Sequence, residues 1–329
     1  MTPAKVIRIR YLPRDLIDVS RWDSCIDKSP NGLLYGRSLF LDTMTGHQWD
    51  ALVLEDYRAV MPLCWNRKWG IRYLYHPPLT PQLGIFSPDS VTEEMITAFL
   101  GEALKHFIFA EIFLNFGNPY PGLQPFTNIV LDLAPGYDIL HGRYKTDLLK
   151  NLKQSAHHLL CYRQDGDIDS AIAFYKKYYA ARTPHVRPAG YRRFAEFCHL
   201  TIGHDGVIIR TIGLKDDNPH APSRRLDREP LALALLLKYH DRLYLLMSVC
   251  PPAGRKMKAN HFLLDCLVRE FAASGLTLDF DGSEIPGIAH FYRNFGGDDE
   301  PFFFLRWNNL PWPLRLFKPR GTYPKNYTR

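Results

Sequence analysis

The chain has 329 residues, 46% hydrophobic and 23% charged, which is enough apolar material for one large core or two ordinary ones, and two domains is the expectation. Lys and Arg number 41 against 34 Asp and Glu, a formal charge of +7, so a phosphate-bearing cofactor, nucleic acid or anionic lipid would be attracted. The opening MTPAKVIRIRYLPRDL lacks the apolar core of a signal peptide, and no run of about 18 uncharged apolar residues follows; a cytoplasmic, soluble protein without a transmembrane segment is expected. Cys25, Cys64, Cys161, Cys198, Cys250 and Cys266 stand apart, with no Cys-x-x-Cys pair, which predicts reduced, buried thiols.

In the first half, KVIRIRYL reads as a strand, RWDSCIDKS and SLFLDTMTG as helices, and WDALVLE, RAVMPLCWN and IRYLYH as strands. The helix VTEEMITAFLGEALKH and the strands IFAEIFLNF and TNIVLDL close it. Turn residues in APGYDILHGR mark the joint.

The second half begins with the amphipathic YKTDLLKNLKQSAHH, whose Leu148, Leu149 and Leu152 form an apolar stripe. HLLCYRQ is a strand, DIDSAIAFYKKYYAAR a helix capped by Asp167 or Asp169, and YRRFAEFCHLTIG a helix stopped by Gly203. GVIIRTIGL is a strand, and PLALALLLKY with LYLLMSV a hairpin broken at Asp241. Between them KDDNPHAPSRRLDRE reads as a solvated loop. ANHFLLDCLVREFAASG carries Ala259, Phe262, Leu263, Cys266, Leu267 and Phe271 at helical spacing, with Gly275 as a left-handed stop. LTLDF is a buried strand, IPGIAHFYRNFGG a helix opened by Pro286, and PFFFLRW a strand. The basic, proline-rich tail from 307 should fray toward its end.

Chemistry concentrates where these elements meet. PPAGRKMKAN lies between a strand ending at Val249 and a helix beginning near Ala259, where helix N-terminal amides point outward and bind anions. Gly254 permits an unusual backbone, and Arg255, Lys256 and Lys258 add charge suited to phosphates; a solvated basic loop is the plainer alternative. LDFDGSEIPG brings Asp279, Asp281, Ser283 and Glu284 to the carboxyl end of a strand, where Glu284 or Asp281 suits a general base and Ser283 equally suits a helix cap. Tyr175, Tyr178 and Tyr179 form either a packed face or part of an aromatic and basic binding surface. His261 stands near the basic turn, where it contacts substrate or simply lies on the helix surface. The histidines show no zinc spacing, and neither a Gly-x-Ser-x-Gly elbow nor a Walker loop occurs, so metal binding, serine hydrolysis and P-loop chemistry are not expected.

The strand order, this turn and AHFYRNFGG, with WDSCIDKSPNG, PPLTPQLGIF and LKNLKQS, resemble the GNAT N-acyltransferase superfamily and its tandem-domain FemAB-like (FemABX) branch over most of residues 20–306. The resemblance implies an α/β chain of two GNAT-like domains in tandem, each a mixed, mostly antiparallel sheet flanked by helices. The expected boundaries are 1–138 for a degenerate first domain, 139–306 for the domain with the donor site, and 307–329 for the tail. It implies that Val249, Gly254, Arg255, Lys256, Met257, Lys258, Ala259 and Asn260 hold an acyl-CoA co-substrate. Arg255 matches the family's motif, while Lys258 and Asn260 stand where Gly, and Gly or Ala, are usual, so the Lys258 side chain either obstructs the phosphates or binds them. Tyr292 falls where the family carries the tyrosine that protonates the departing thiolate; a packed helix tyrosine is the alternative. Tyr179, Arg182 and Arg187 fall on helices that border the acceptor.

The function so implied is transfer of an acyl group from a thioester to a small-molecule or peptide-like amine by direct attack. One alternative is an aminoacyl-tRNA-dependent transferase acting on a cell-wall precursor, as in FemABX relatives. Another is a non-catalytic ligand-binding protein that keeps the fold.

Overall fold

The computed structural model describes residues 8–164, 166–201, 206–215, 229–281 and 286–315. The first part of the chain forms β1 (Ile9–Leu12), α1 (Val19–Lys28), α2 (Ser38–Thr45), β2 (Trp49–Leu54), β3 (Ala59–Lys68), β4 (Ile71–Leu74), α3 (Glu93–His106), β5 (Phe109–Leu114) and β6 (Gln124–Asp132). Then follow α4 (Tyr137–Gly142), α5 (Thr146–Ser155), β7 (Leu160–Arg163), α6 (Ile168–Tyr179), α7 (Pro188–Thr201), β8 (Val207–Leu214), β9 (Ala232–Tyr239) and β10 (Arg242–Val249). The last are α8 (Pro252–Lys256), α9 (Ala259–Phe271), β11 (Thr277–Asp279), α10 (Pro286–Arg293), β12 (Asp298–Asn308) and α11 (Trp312–Arg315).

The predicted elements all form, and their ends have local causes. The α3 helix begins where the Thr92 side chain accepts from the Met95 amide, with Glu93 and Glu94 in its first turn and Lys105 and His106 in its last, charges that match the helix dipole at both ends. Of the two candidate caps for α6 it is Asp167 that accepts from the Ser170 amide, at 2.8 Å. The α9 helix stops at Phe271, earlier than expected, and Ala273 as well as Gly275 is left-handed, at φ 59° and 71°. Of the loop KDDNPHAPSRRLDRE, residues 216–228 lie outside the described residues, as do Gly203, Ser283, Glu284 and the tail beyond 315.

The described residues form two compact units. The first contains 8–127, 188–197 and 300–315. Its strands pair in the order β1-β2-β3-β4-β5-β12, antiparallel except for the parallel β4–β5 pair. Met95, Ile96, Phe99 and Ala103 of α3 pack with Leu52, Met61, Leu63 and Leu114 in its core.

The second unit contains 128–164, 166–187, 198–201, 206–215, 229–281 and 286–299. The end of β6 pairs antiparallel with β11, β11 parallel with β10, and β10, β9, β8 and β7 follow as an antiparallel meander. The α9 helix lays Leu263, Leu264, Leu267 and Val268 onto a core that includes Leu236, Leu245 and Leu278. Each such side chain contributes about 1.5–3 kcal/mol by leaving water. Polar bonds fix the helix's rotation: Asp265 accepts from Tyr137 (2.7 Å) and Tyr144 (3.1 Å), and Glu270 pairs with Arg210 and Tyr162. Both units thus carry a mostly antiparallel sheet with helices against it.

A buried histidine adds a pH dependence to the first unit. The Phe113 amide donates to His76 Nδ1 at 3.3 Å, which requires a neutral ring, and burial lowers its pKa from 6.5 to about 4. The unfolded chain therefore takes up this proton first on acidification. Stability is fully present above about pH 6.5 and is lost as the pH falls toward 4. Denaturation midpoints measured across that window should fall by the equivalent of roughly 1–3 kcal/mol for this group. His76→Gln, which keeps an acceptor for the Phe113 amide, should shrink the acid loss; an unchanged profile would contradict the assignment.

Candidate functional site

The site is built where two parallel strands of the second unit part. Their ladder runs from Arg242↔Thr277 to Tyr244↔Asp279 and stops there among the described residues, while β10 continues to Val249 beside β9. A shift in the β9–β10 register between Tyr244 and Met247 marks the bend. The ends of β10 and β11, near Val249 and Asp281, thus become separate lips.

After Val249, which is buried, the expected turn is in fact a short helix, α8, followed by α9. Gly254 sits inside α8 without a positive φ, so an unusual backbone is not what it supplies. It is required by space: a Cβ there would lie 1.7 Å from the Leu231 carbonyl oxygen and 3.1 Å from Cys250 Sγ. The left-handed residue is Lys258, at φ 57° and ψ 29°, the N-cap of α9. A lysine thus holds the conformation that glycine adopts most easily, at a cost of about 1–2 kcal/mol. Its side chain does not cap the helix, and the exposed Lys256 and the half-buried Lys258 put positive charge at the start of α9. Arg255 turns back, donating from Nη1 to the Cys250 carbonyl at 3.1 Å, which makes it a brace for the strand end. Asn260 accepts from the Ser248 hydroxyl at 3.2 Å. Met257 is half buried and Ala259 buried.

The α6 helix meets this strand end. The Tyr179 hydroxyl accepts from the Cys250 amide at 3.3 Å, the Arg182 guanidinium lies 4.8 Å over the Tyr179 ring, and Tyr175 contacts Tyr179 edge-on at 5.6 Å. The tyrosine stripe is therefore divided: Tyr175 and Tyr179 face the site, whereas Tyr178 donates to Glu229. Arg187 is exposed before α7, and nothing among the described residues joins it to this cluster.

On the opposite lip, Tyr292 of α10 is buried and stacks on Phe280 at 4.3 Å. Burial, then the charge of Asp281, and then Tyr179 and Tyr175 push its phenol well above the ordinary value. Asp281 is left-handed at φ 47°, and its amide donates to Asp279 Oδ1 at 2.9 Å. Asp279, only 2% exposed, also accepts from Asn128 Nδ2 and Arg242 Nε, both at 2.8 Å. Of the acidic group, Asp279 is thus a scaffold and Asp281 the carboxylate beside the phenol. His261 packs edge-on against Phe291 at 4.9 Å, and burial plus the nearby Lys258 lower its pKa to about 4, so it is neutral near pH 7. No group of three or more His, Cys, Asp or Glu that could hold a metal occurs among the described residues.

The sequence reading missed the roles of Cys250, Arg242 and Asn128, whose contributions are an amide and two partners contacted only through the fold. A signal for the left-handed Lys258 was present, since the family that the sequence resembles usually carries glycine there. Lys258→Gly should stabilise the protein by about 0.5–1 kcal/mol in chemical denaturation, because the backbone strain is relieved at some entropic cost. A destabilised variant would show that the lysine side chain makes a compensating bond.

No protein-family model matches the chain, and no curated protein matches it in sequence. Its structure is similar to that of FemX, with a TM-score of 0.64 and 14% identity, over 94% of this chain and 99% of that one. It is also similar to a conserved protein of unknown function from Bacteroides thetaiotaomicron VPI-5482, with a TM-score of 0.51 and 7% identity, over 92% and 100% of the two chains. At such identities the likeness carries the fold alone: the chain has a GNAT-like fold of the FemABX type.

Proposed function

We propose that the chain is two GNAT-like domains in tandem, 1–138 and 139–306 with a basic tail, and that its second unit transfers an acyl group from an activated donor to a small-molecule or peptide-like amine by direct attack. The observation that carries this reading is a buried phenol, Tyr292, that feels the charge of the Asp281 carboxylate, on a helix whose Phe291 packs against His261 in the first turn of α9. Direct transfer needs one proton removed from the amine and one delivered to the leaving atom. Asp281, or Glu284 outside the described residues, takes the first, and Tyr292 supplies the second. Its raised pKa keeps the phenol protonated, and therefore able to donate, throughout the neutral range.

The donor in this reading is an acyl-CoA, whose thioester supplies the activated acyl group. The residues present suit an anion: Lys256 and Lys258 at the start of α9 would hold its phosphates, while Arg255 keeps the strand end in shape. Tyr179 and Arg182 border the acceptor. The first half offers no such turn, since its YHPPLTPQLG is proline-rich and uncharged apart from a histidine.

One observation favours a second donor, an aminoacyl ester of tRNA. A phenol shifted upward is a weaker acid toward a departing thiolate than an ordinary phenol is. An alkoxide is the more basic leaving atom and the better match.

Tyr292→Phe keeps the ring on Phe280 and removes only the proton. Turnover should fall by roughly 10²–10⁴-fold while donor affinity stays within a factor of about two; unchanged turnover removes Tyr292 from the chemistry. Calorimetry with CoA, acyl-CoA compounds and charged tRNA assigns the donor: binding of CoA compounds alone supports the thioester, and binding of charged tRNA alone supports the ester. Binding of neither at millimolar concentration would leave the fold as a non-catalytic scaffold and overturn the reading.

A further inference from the structure

A separate surface is assembled at one end of the sheet in the first unit. The β3–β4 hairpin turns at Trp69 and Gly70, both left-handed, at φ 51° and 78°. Its tip, Asn66, Arg67, Lys68 and Trp69, is exposed, Trp69 to 66% of its surface, and Lys68 Nζ lies 4.7 Å over the indole. Strand register places other groups at the same end. Because β4 runs parallel to β5 with Leu74 opposite Ala110, the hairpin tip lies level with the chain entering β5. Because β12 runs antiparallel with Asn308 opposite Phe109, its exit lies there too. The Asn309 amide donates to the Ile108 carbonyl at 2.7 Å, fixing that exit.

The exposed apolar side chains of this end are therefore Trp69, Leu104 and Ile108, joined by Trp312, which is 74% exposed just beyond β12. Among the described residues the cations of the hairpin tip are Arg67 and Lys68; Lys105 is already paired with Glu102 at 2.6 Å, and Arg72 with Asp50. The segment NRKWGI contains no acid.

We infer that this end of the first unit docks on an anionic lipid surface, with the indoles of Trp69 and Trp312 in the headgroup layer and Arg67 and Lys68 against the lipid phosphates. Tryptophan is the side chain that settles best at a membrane interface, where its ring is half solvated, and lysine and arginine are drawn to the negative surface potential. A single-stranded nucleic acid would share the cations and the indoles through phosphate contacts and stacking. It has no use for Leu104 and Ile108, which a bilayer buries. No helix among the described residues is long and apolar enough to cross a membrane, so the contact is a peripheral one.

Flotation of the full chain with phosphatidylcholine vesicles, with and without phosphatidylglycerol, tests this independently of any transfer activity. The protein should float with the phosphatidylglycerol vesicles only, be released by salt, and show a blue-shifted tryptophan emission when bound. Arg67→Glu with Lys68→Glu should weaken partition by at least about 25-fold, roughly fivefold per charge. Trp69→Ser with Trp312→Ser should weaken it as well, and both variants should keep the parent's thermal midpoint because the altered side chains are solvated. Failure to float, flotation unaffected by either variant, or capture of single-stranded RNA in place of vesicles through these same residues would overturn the proposal.

Discussion

The proposed transfer site hangs on one buried electrostatic knot, the carboxylate of Asp279. Its oxygens accept from Arg242 on β10, from Asn128 on β6 and from the amide of Asp281. A carboxylate that is 2% exposed would be untenable without such partners. Removing one partner of a buried pair typically costs about 3–5 kcal/mol, because the other charge is left uncompensated. Here the arrangement does more than neutralise itself. It ties Arg242, where the β10–β11 ladder begins, to Asp279, where it ends and the strands separate, and it fixes the left-handed turn that presents Asp281.

Two lips follow from that separation. On one, β10 delivers the Cys250 amide to Tyr179 and leads through α8 to the left-handed Lys258 and the start of α9. On the other, Phe280 stacks on the Tyr292 ring, and the charge of Asp281 bears on its phenol. Space and strain are managed differently at the two notable positions of the first lip. Gly254 is small because Leu231 is in the way, whereas Lys258 is strained although it carries a full side chain. A strained lysine at a helix start is the kind of outlier that binding can justify, and the proposed function gives its charge to the donor's phosphates.

Periodicity made most elements readable: of the stripe read along α9, Ala259, Leu263 and Leu267 are buried and Phe262, Cys266 and Phe271 half-buried, and the runs ALALLLKY and RLYLLMSV have little freedom except as a buried hairpin. Asp281 and Tyr292 could be singled out as candidates from the sequence, and the role given them belongs to the proposal. What the sequence did not show depends on contacts between distant segments. Nothing local marks the register shift after Tyr244, the pairing of the end of β6 with β11, or that of β12 with β5. Local composition likewise does not reveal that PPAGRKMKAN contains a helix, because Pro and Gly usually signal a loop; Pro at the first turn and Gly beneath a carbonyl are both compatible with a helix.

The central claim, that an activated donor seats its phosphates at the start of α9 beside the Tyr292 and Asp281 lip, is tested most directly by hydrogen exchange read peptide by peptide with donor present and absent. Slowed exchange across residues 249–262 and around 281, produced by an acyl-CoA or by charged tRNA, is the result predicted. A donor that binds, yet leaves those amides unchanged while protecting a different part of the chain, would contradict it.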